Sequence, residues 1–242
     1  MTPLAAPVTV IIPCLNEEEP IGDVVREILA HGVALGVGEV IIVDNGSTDR
    51  TAEVATAAGA RVVAQPRRGY GRACAAGVAA AHTEILCFMD GDGSDVPSFI
   101  PAVAGPVIEG HADFVMGSRL RGTREPGSLT LQQVLAGRLA GFLLRRTYGV
   151  SFTDMSPLRA IRADTLASLG MREETYGWNL EMQMRAAARL RCLEVPVHHR
   201  CRRGGASKVS GNLVAGLKAA WKITTTFLRL ARDLRTNRGA TP

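Results

Sequence analysis

A run of five apolar residues, Ile85 to Met89, stops abruptly at Asp90-Gly91-Asp92-Gly93. Its length and composition fit a strand buried on both faces. Such a strand ends at the carboxyl edge of its sheet, where open α/β sheets bind ligands. Side chains two apart on an extended chain point the same way, so Asp90 and Asp92 present hard oxygen donors on one side. That pair suits Mg²⁺ held jointly with phosphate oxygens. An ordinary Asp/Gly surface turn explains the same residues, so the other segments must decide.

Those segments repeat the arrangement. Val8–Pro13 reads as a first strand, followed by Asn16-Glu17 and a helix from Pro20 to Ala30 with Ile21, Val24, Val25, Ile28 and Leu29 on one stripe. Val40–Val43 is a second strand that runs into Asp44-Asn45-Gly46-Ser47-Thr48-Asp49 and a helix from Thr51; Ser47 and Asp49 are candidate caps. Arg61–Ala64 is a short third strand. After it, Arg67-Arg68-Gly69-Tyr70-Gly71-Arg72 leads into the helix Ala73–Ala81, and glycines beside arginines at a helix N-terminus suit a pyrophosphate. Ile85–Met89 is then the fourth strand, and Phe114–Met116, closed by Gly117-Ser118-Arg119, the fifth. Strand and helix alternating at this spacing predict an α/β chain with a mostly parallel, doubly wound sheet flanked by helices. No G-x-G-x-x-G follows the first strand, which argues against a dinucleotide fold.

The second half is less regular. Leu129–Tyr148 reads as a basic amphipathic helix, with Leu131, Leu135, Leu139, Phe142 and Leu143 apolar and Arg138, Arg145 and Arg146 charged; its stripe faces a core or a membrane surface. A further helix begins near Gly177. Leu193–Val197 is a last strand, placed at a sheet edge by Pro196. His198 and His199 have no partner at metal spacing and read as surface residues. Asp95 is expected to cap the helix from Pro97, with an extra metal ligand as the alternative. Gly204, Ser207 and Lys208 have the composition of a phosphate loop, and Leu213–Leu234 reads as a basic final helix.

Taken together, I-I-P-C-L-N-E, V-D-N-G-S-T-D-R-T and D-G-D-G-S-D resemble the family 2 glycosyltransferases of the GT-A (nucleotide-diphospho-sugar transferase) fold. Within them the chain is similar to the dolichol-phosphate mannose synthase-like branch, from about Val8 to Lys208. The resemblance implies inverting transfer of a sugar from a nucleoside diphosphate sugar, often to a polyprenyl phosphate. It implies a nucleotide pocket lined by Pro13, Asn16 and Glu17, with Asp44 on the base or ribose and Arg68 and Gly69 near the diphosphate. It puts Asp90 and Gly91 at the ribose or metal, and has Asp92 bind Mg²⁺ or Mn²⁺ with Asp90. Arg119 would face the donor phosphates or the acceptor. Asp154, in T-D-M-S-P-L-R, would lie beneath the donor sugar or near the metal, Arg159 would hold that loop through an ion pair, and Glu181 matches the branch's catalytic Glu-Met segment. Arg202, Ser207 and Lys208 would close over the diphosphate, Lys208 neutralising the leaving group. Gly93-Ser94-Asp95 departs from the branch, which often has Gln or Asn there.

Many family 2 enzymes supply a general base as an Asp at the position that, matched on Arg185, falls on Asn179. An amide cannot take a proton, whereas a phosphate acceptor needs none removed. A polyprenyl monophosphate acceptor follows from the match. A soluble hydroxyl acceptor and a non-catalytic sugar-nucleotide-binding module remain as alternatives.

Charge distribution bears on partners. Residues 1–184 hold 15 Lys/Arg against 21 Asp/Glu, and residues 185–242 hold 13 against two. The expected organisation is a GT-A domain over residues 1–210 and a basic helix and tail over 211–242, attracted to an anionic membrane surface. No nucleic-acid motif is present. Five widely spaced cysteines fit a reducing compartment, and neither a signal peptide nor a membrane-spanning run is evident, which predicts a cytoplasmic protein, peripheral on the inner face of the membrane.

Overall fold

The computed structural model describes residues 7–204, 221 and 224–233. In chain order the elements are β1 (Val8–Cys14), α1 (Glu18–Ala30), the single turn α2 (Gly32–Leu35), β2 (Val37–Asp44), α3 (Thr51–Ala57), β3 (Arg61–Ala64), α4 (Tyr70–Ala80), β4 (Ile85–Phe88), α5 (Ile100–Ile108), β5 (Phe114–Ser118), α6 (Leu131–Tyr148), β6 (Arg159–Arg162), α7 (Ala163–Leu169), α8 (Trp178–Arg189) and β7 (Cys192–Pro196). A 3₁₀ turn over Pro97–Phe99 precedes α5.

Among the described residues the strands form one seven-stranded sheet in the order β3-β2-β1-β4-β6-β5-β7. Successive residues of β1 serve opposite faces, as an extended chain requires. Val8, Val10 and Ile12 pack with Ile21, Val25 and Ile28 of α1 and Val103 of α5. Ile11 joins Ala73 and Cys74 of α4, Leu144 of α6 and Leu180 and Met184 of α8 on the other face. This is the mostly parallel, doubly wound architecture that strand–helix alternation predicts.

One strand departs from it. β6 lies between β4 and β5 and runs antiparallel to both, while the other pairings are parallel. Arg-Ala-Ile-Arg carries no strand signature of its own; its centre is buried because Ala160 pairs with Cys87 on one side and Val115 on the other. β7 is at the sheet edge, where Pro196 leaves no ladder bond unmade.

Helix α6 starts two residues later than the apolar pattern predicts, because Thr130 and Gln133 form a reciprocal capping box. It lies against the segment before β6 through Gly137 and Gly141. A Cβ on Gly141 would stand 2.0 Å from the Phe152 carbonyl oxygen. With that face inward, Leu131, Leu135 and Phe142 remain exposed. Residues 224–233 are helical, and Phe227 and Leu230 are buried in the core shared by α4, α6 and α8.

Candidate active site

The parallel strands β1, β2, β4 and β5 deliver their carboxyl ends to one edge. Because β6 is reversed, the segment that enters it reaches that same edge. Around this edge lies a cleft of about 610 Å³, lined by Pro13, Cys14, Leu15 and Glu17 after β1, Asn45 after β2, Arg68–Ala73 (without Gly71 and Arg72), Asp90–Asp92, and Arg119. Its other wall comes from Gln133, Met155, Pro157, Thr175, Tyr176 and Asn179, and Arg202 closes it. A smaller polar cavity of about 240 Å³ adjoins it and shares Asp90, Asp92, Arg119, Gln133 and Arg202.

The first loops are fastened to one another. Asn16, at φ 53°, accepts from Thr48 N (2.8 Å) and donates its backbone N–H to Ser47 Oγ (3.0 Å). Asp49 accepts from Glu18 N and Thr51 N, so Ser47 and Asp49 tie loops rather than cap α3. Asp44 turns back to accept from Ser47 N (3.1 Å). Asn45 accepts from Gly69 N (2.7 Å) and donates to the Gln65 and Arg67 carbonyls, which fixes the Arg68-Gly69 loop. Gly69 is at φ 152°, and a Cβ there would stand 2.3 Å from the Glu174 carbonyl oxygen.

Asp90 is partly buried and takes a long hydrogen bond from Tyr70 Oη (3.4 Å). Burial, then the neighbouring Asp92, raises its pKa. Asp92 is buried; its Oδ1 accepts from Ser94 N (2.9 Å) and its Oδ2 pairs with Arg202 Nη2 (2.9 Å). Two expectations fail nearby. Asp95 does not cap the Pro97 turn; its Oδ2 accepts from Asp90 N (3.1 Å). His199 is not a surface residue: it is 3% exposed, bridges to Asp95 and lines the smaller cavity. Burial and then Arg119 lower its pKa to about 4, leaving the imidazole neutral. Among the described residues neither His199 Nδ1 nor Asp95 Oδ1 has a hydrogen-bond partner, and their 3.8 Å separation is too long for one.

Asp90, Asp92 and His199 all line the smaller cavity, so carboxylate oxygens suited to a divalent cation face the same space as the imidazole. No three His, Cys, Asp or Glu among the described residues gather into a self-sufficient metal cage, so such a cation would complete its shell with ligand oxygens.

Asp154 does not reach the cleft where the resemblance puts it. Asp154 has a 2% exposed side chain and accepts from Arg119 N (2.9 Å), Nε (2.8 Å) and Nη2 (2.8 Å) and from Met155 N (2.7 Å). It does not line the cleft; it aims Arg119, which does. Burial works against ionising Asp154, yet Arg119 holds its pKa below the usual carboxylate value. Glu181 does not line the cleft either. It is fully buried, pairs with Arg185 (2.8 Å) and accepts from Arg172 N and Glu173 N, so it anchors the segment that carries Thr175 and Tyr176. Arg159 makes no ion pair among the described residues; it is fully buried and donates to the Ser156, Pro157 and Asn179 carbonyls.

Of the sequence-predicted residues, Pro13, Glu17, Arg68, Gly69, Asp90, Gly91, Asp92, Arg119 and Arg202 line the cleft. Asn16, Asp44, Asp154 and Glu181 do not. Ser207 and Lys208 lie outside the described residues. His199, Gln133 and Asn45 were missed as site residues. His199 had one available signal: it continues the two-residue alternation that buries Val197.

The Glycosyl transferase family 2 model matches residues 9–170. The chain belongs to glycosyltransferase family 2. Over 222 residues this glycosyltransferase is 39% identical to an uncharacterized glycosyltransferase of Mycobacterium tuberculosis, spanning 89% of this chain and 97% of that one. It is 34% identical over 198 residues to a dolichyl-phosphate hexose transferase of Haloferax volcanii, spanning 81% and 83%. Among solved structures it is similar to glucosyl-3-phosphoglycerate synthase from Mycobacterium tuberculosis in complex with Mn²⁺, UDP-glucose and phosphoglyceric acid. That match has a TM-score of 0.74 and 26% identity, and covers 94% of this chain and 80% of the other.

Proposed function

We propose that this enzyme transfers a sugar from a nucleoside diphosphate sugar to a polyprenyl phosphate, with inversion and with Mg²⁺ or Mn²⁺ bound. One observation carries the acceptor assignment. The cleft wall built from Gln133, Met155, Pro157, Thr175, Tyr176 and Asn179 holds no carboxylate among the described residues. A hydroxyl acceptor must lose a proton as it attacks; a phosphate acceptor arrives anionic and needs cations. Arg119, aimed by Asp154, supplies positive charge for it.

The donor diphosphate belongs beside Asp92 and His199 and near Arg68 and Gly69, with Glu17 toward the nucleoside. A divalent cation there supplies neutralisation of the charge that develops on the leaving diphosphate. Arg159 keeps the Ser156-Pro157 turn and Asn179 in register, so the acceptor wall keeps its shape. Asn16 and Asp49 keep the nucleoside loops together. Lys208 and Ser207 remain proposed diphosphate contacts.

A lipid source for the phosphate is favoured by α6. The helix contains no acidic residue, exposes Leu131, Leu135 and Phe142, and carries Arg138, Arg145 and Arg146. An apolar face with arginines suits an anionic bilayer surface. No helix among the described residues is long and apolar enough to cross a membrane, so the proposed association is peripheral, and the five free cysteines fit the reducing side. The second reading is a soluble phosphorylated acceptor, because the similar solved structure contains phosphoglyceric acid.

The test offers purified enzyme a panel of nucleotide sugars with Mn²⁺ or Mg²⁺, and with a polyprenyl phosphate, 3-phosphoglycerate or unphosphorylated sugars as acceptor. Metal-dependent transfer to the lipid phosphate is the expected result. Transfer to 3-phosphoglycerate alone would select the second reading, efficient transfer to an unphosphorylated hydroxyl would overturn both, and absence of nucleoside diphosphate release with every donor would indicate a binding module.

A further inference from the structure

We infer that Arg202 is an exchangeable counter-ion: it neutralises Asp92 while the site is empty of donor and moves to the donor diphosphate when a divalent cation takes Asp92. The inference rests on the proposed metal and donor reading of this site. It begins from an asymmetry in how two segments are held. Asp92 O accepts from Arg203 N (2.9 Å) and Ser94 O accepts from Arg200 N (2.9 Å), so the backbone around Arg202 is pinned to the Asp92 loop. Arg200 and Arg203 are also pinned by their side chains, both to Glu27. Among the described residues the Arg202 side chain has no such tether. Its partner there is Asp92 Oδ2, it is 38% exposed against 8% for the Asp92 side chain, and it lines both cavities.

Both oxygens of the Asp92 carboxylate are engaged by this arrangement, Oδ1 by the Ser94 amide and Oδ2 by the guanidinium. A dication approaching Asp92 therefore meets a positive charge already seated on the oxygen it needs. Two cations on one buried oxygen repel strongly, since a buried pair is poorly screened. The metal alone must expel Arg202 without offering it a new partner. A metal that arrives with a diphosphate brings anionic oxygens within the same cavity, and a guanidinium takes phosphate as readily as carboxylate. Metal and donor thus favour each other's binding through one side chain, which makes Arg202 a positioning residue that discourages the metal from binding ahead of the donor. The coupling is reciprocal, as linkage requires.

This predicts effects of opposite sign from one substitution. In Arg202→Gln, Mn²⁺ alone should bind more tightly, by about tenfold, because the competitor is gone. UDP or GDP in saturating Mn²⁺ should bind more weakly, also by about tenfold, because the phosphate partner is gone. Arg202→Lys, which keeps a charge, should leave Mn²⁺ alone closer to wild type. Free Mn²⁺ is counted by electron paramagnetic resonance and nucleotide binding by calorimetry, on the full chain. Weaker Mn²⁺ alone together with weaker nucleotide would make Arg202 a structural support and overturn the exchange. Unchanged Mn²⁺ affinity would also overturn it, as would tighter binding of both ligands. Failure of wild-type enzyme to bind Mn²⁺ with or without either nucleotide would instead overturn the metal and donor reading itself, and the exchange with it.

Discussion

If Asp154 acts through Arg119, then replacing it should cost stability in a way that replacing Arg119 partly undoes. The Asp154 side chain is 2% exposed and that of Arg119 11%, and the carboxylate accepts four hydrogen bonds, three of them from Arg119. Asp154→Asn keeps the shape and removes the charge, stranding a buried guanidinium. Breaking a buried pair in this way costs about 3–5 kcal/mol. Unfolding entropy of roughly 2.1 cal/mol/K per residue gives about 0.5 kcal/mol/K for a chain of this size. The melting temperature should therefore fall by roughly 6–10 °C. In the double variant Arg119→Gln/Asp154→Asn, two amides face each other and no charge is stranded. Its stability loss should be smaller than the sum of the two single losses by about 2 kcal/mol or more. Activity should follow the same logic, with Asp154→Asn adding little to the loss caused by Arg119→Gln. Scanning fluorimetry and initial rates on the four proteins complete the cycle. Additive losses in kcat/KM would refute the reasoning and return Asp154 to direct contact with substrate.

Glu181→Gln should destabilise by about 3 kcal/mol, because Arg185 loses a fully buried partner, while the folded enzyme keeps its kcat; a hundredfold fall in kcat at unchanged melting temperature would restore a catalytic Glu181. Asp92→Ala should abolish transfer and Mn²⁺-dependent nucleotide binding while the melting temperature stays within about 3 °C, since Arg202 is half-exposed and can rehydrate; turnover like wild type would remove the metal role. Gly71→Ala puts a Cβ 2.1 Å from the Glu173 carbonyl oxygen. The segment bearing Thr175 and Tyr176 must shift, so acceptor KM should rise while stability drops by about 1–3 kcal/mol, measured by steady-state kinetics and urea unfolding. The enzyme should sediment with anionic vesicles at low salt and be released at 0.5 M salt, where screening shortens to a few ångströms; Phe142→Glu should weaken that binding, and retention of full binding by this variant would exclude the α6 face.

The half of the site made by strand ends was legible because each strand announces itself: an apolar run halted by Asp44, by Asp90 or by Arg119. The half made by long-range pairing was not. Arg159–Ile161 becomes a buried strand only because β4 and β5 leave a gap between them, and nothing local in Arg-Ala-Ile-Arg records that gap. His199 looked solvated because its partner Asp95 is remote in sequence, so spacing rules for metal ligands had nothing to find. Glu181 and Arg185 are four apart on α8, a spacing that pairs charges on a helix, and weighing that pair ahead of the family match would have given Glu181 its anchoring role directly. Asp154 could not be separated from a catalytic carboxylate without seeing Arg119 fold onto it.

Because β6 runs against its neighbours, the chain that leaves the ligand edge after Arg119 returns to that edge at Asp154 without threading through the sheet. Residues 119–158 therefore form a closed excursion above one rim, anchored at both ends by the Arg119–Asp154 pair. The nucleoside loops belong to β1, β2 and β4, outside that excursion. An excursion of this kind can be lengthened, shortened or rewritten while those three strands keep their register. The topology thus works as a fixed handle with an interchangeable tool: descendants of one ancestor could keep a donor and diverge in what they decorate by changing α6 and its flanks alone.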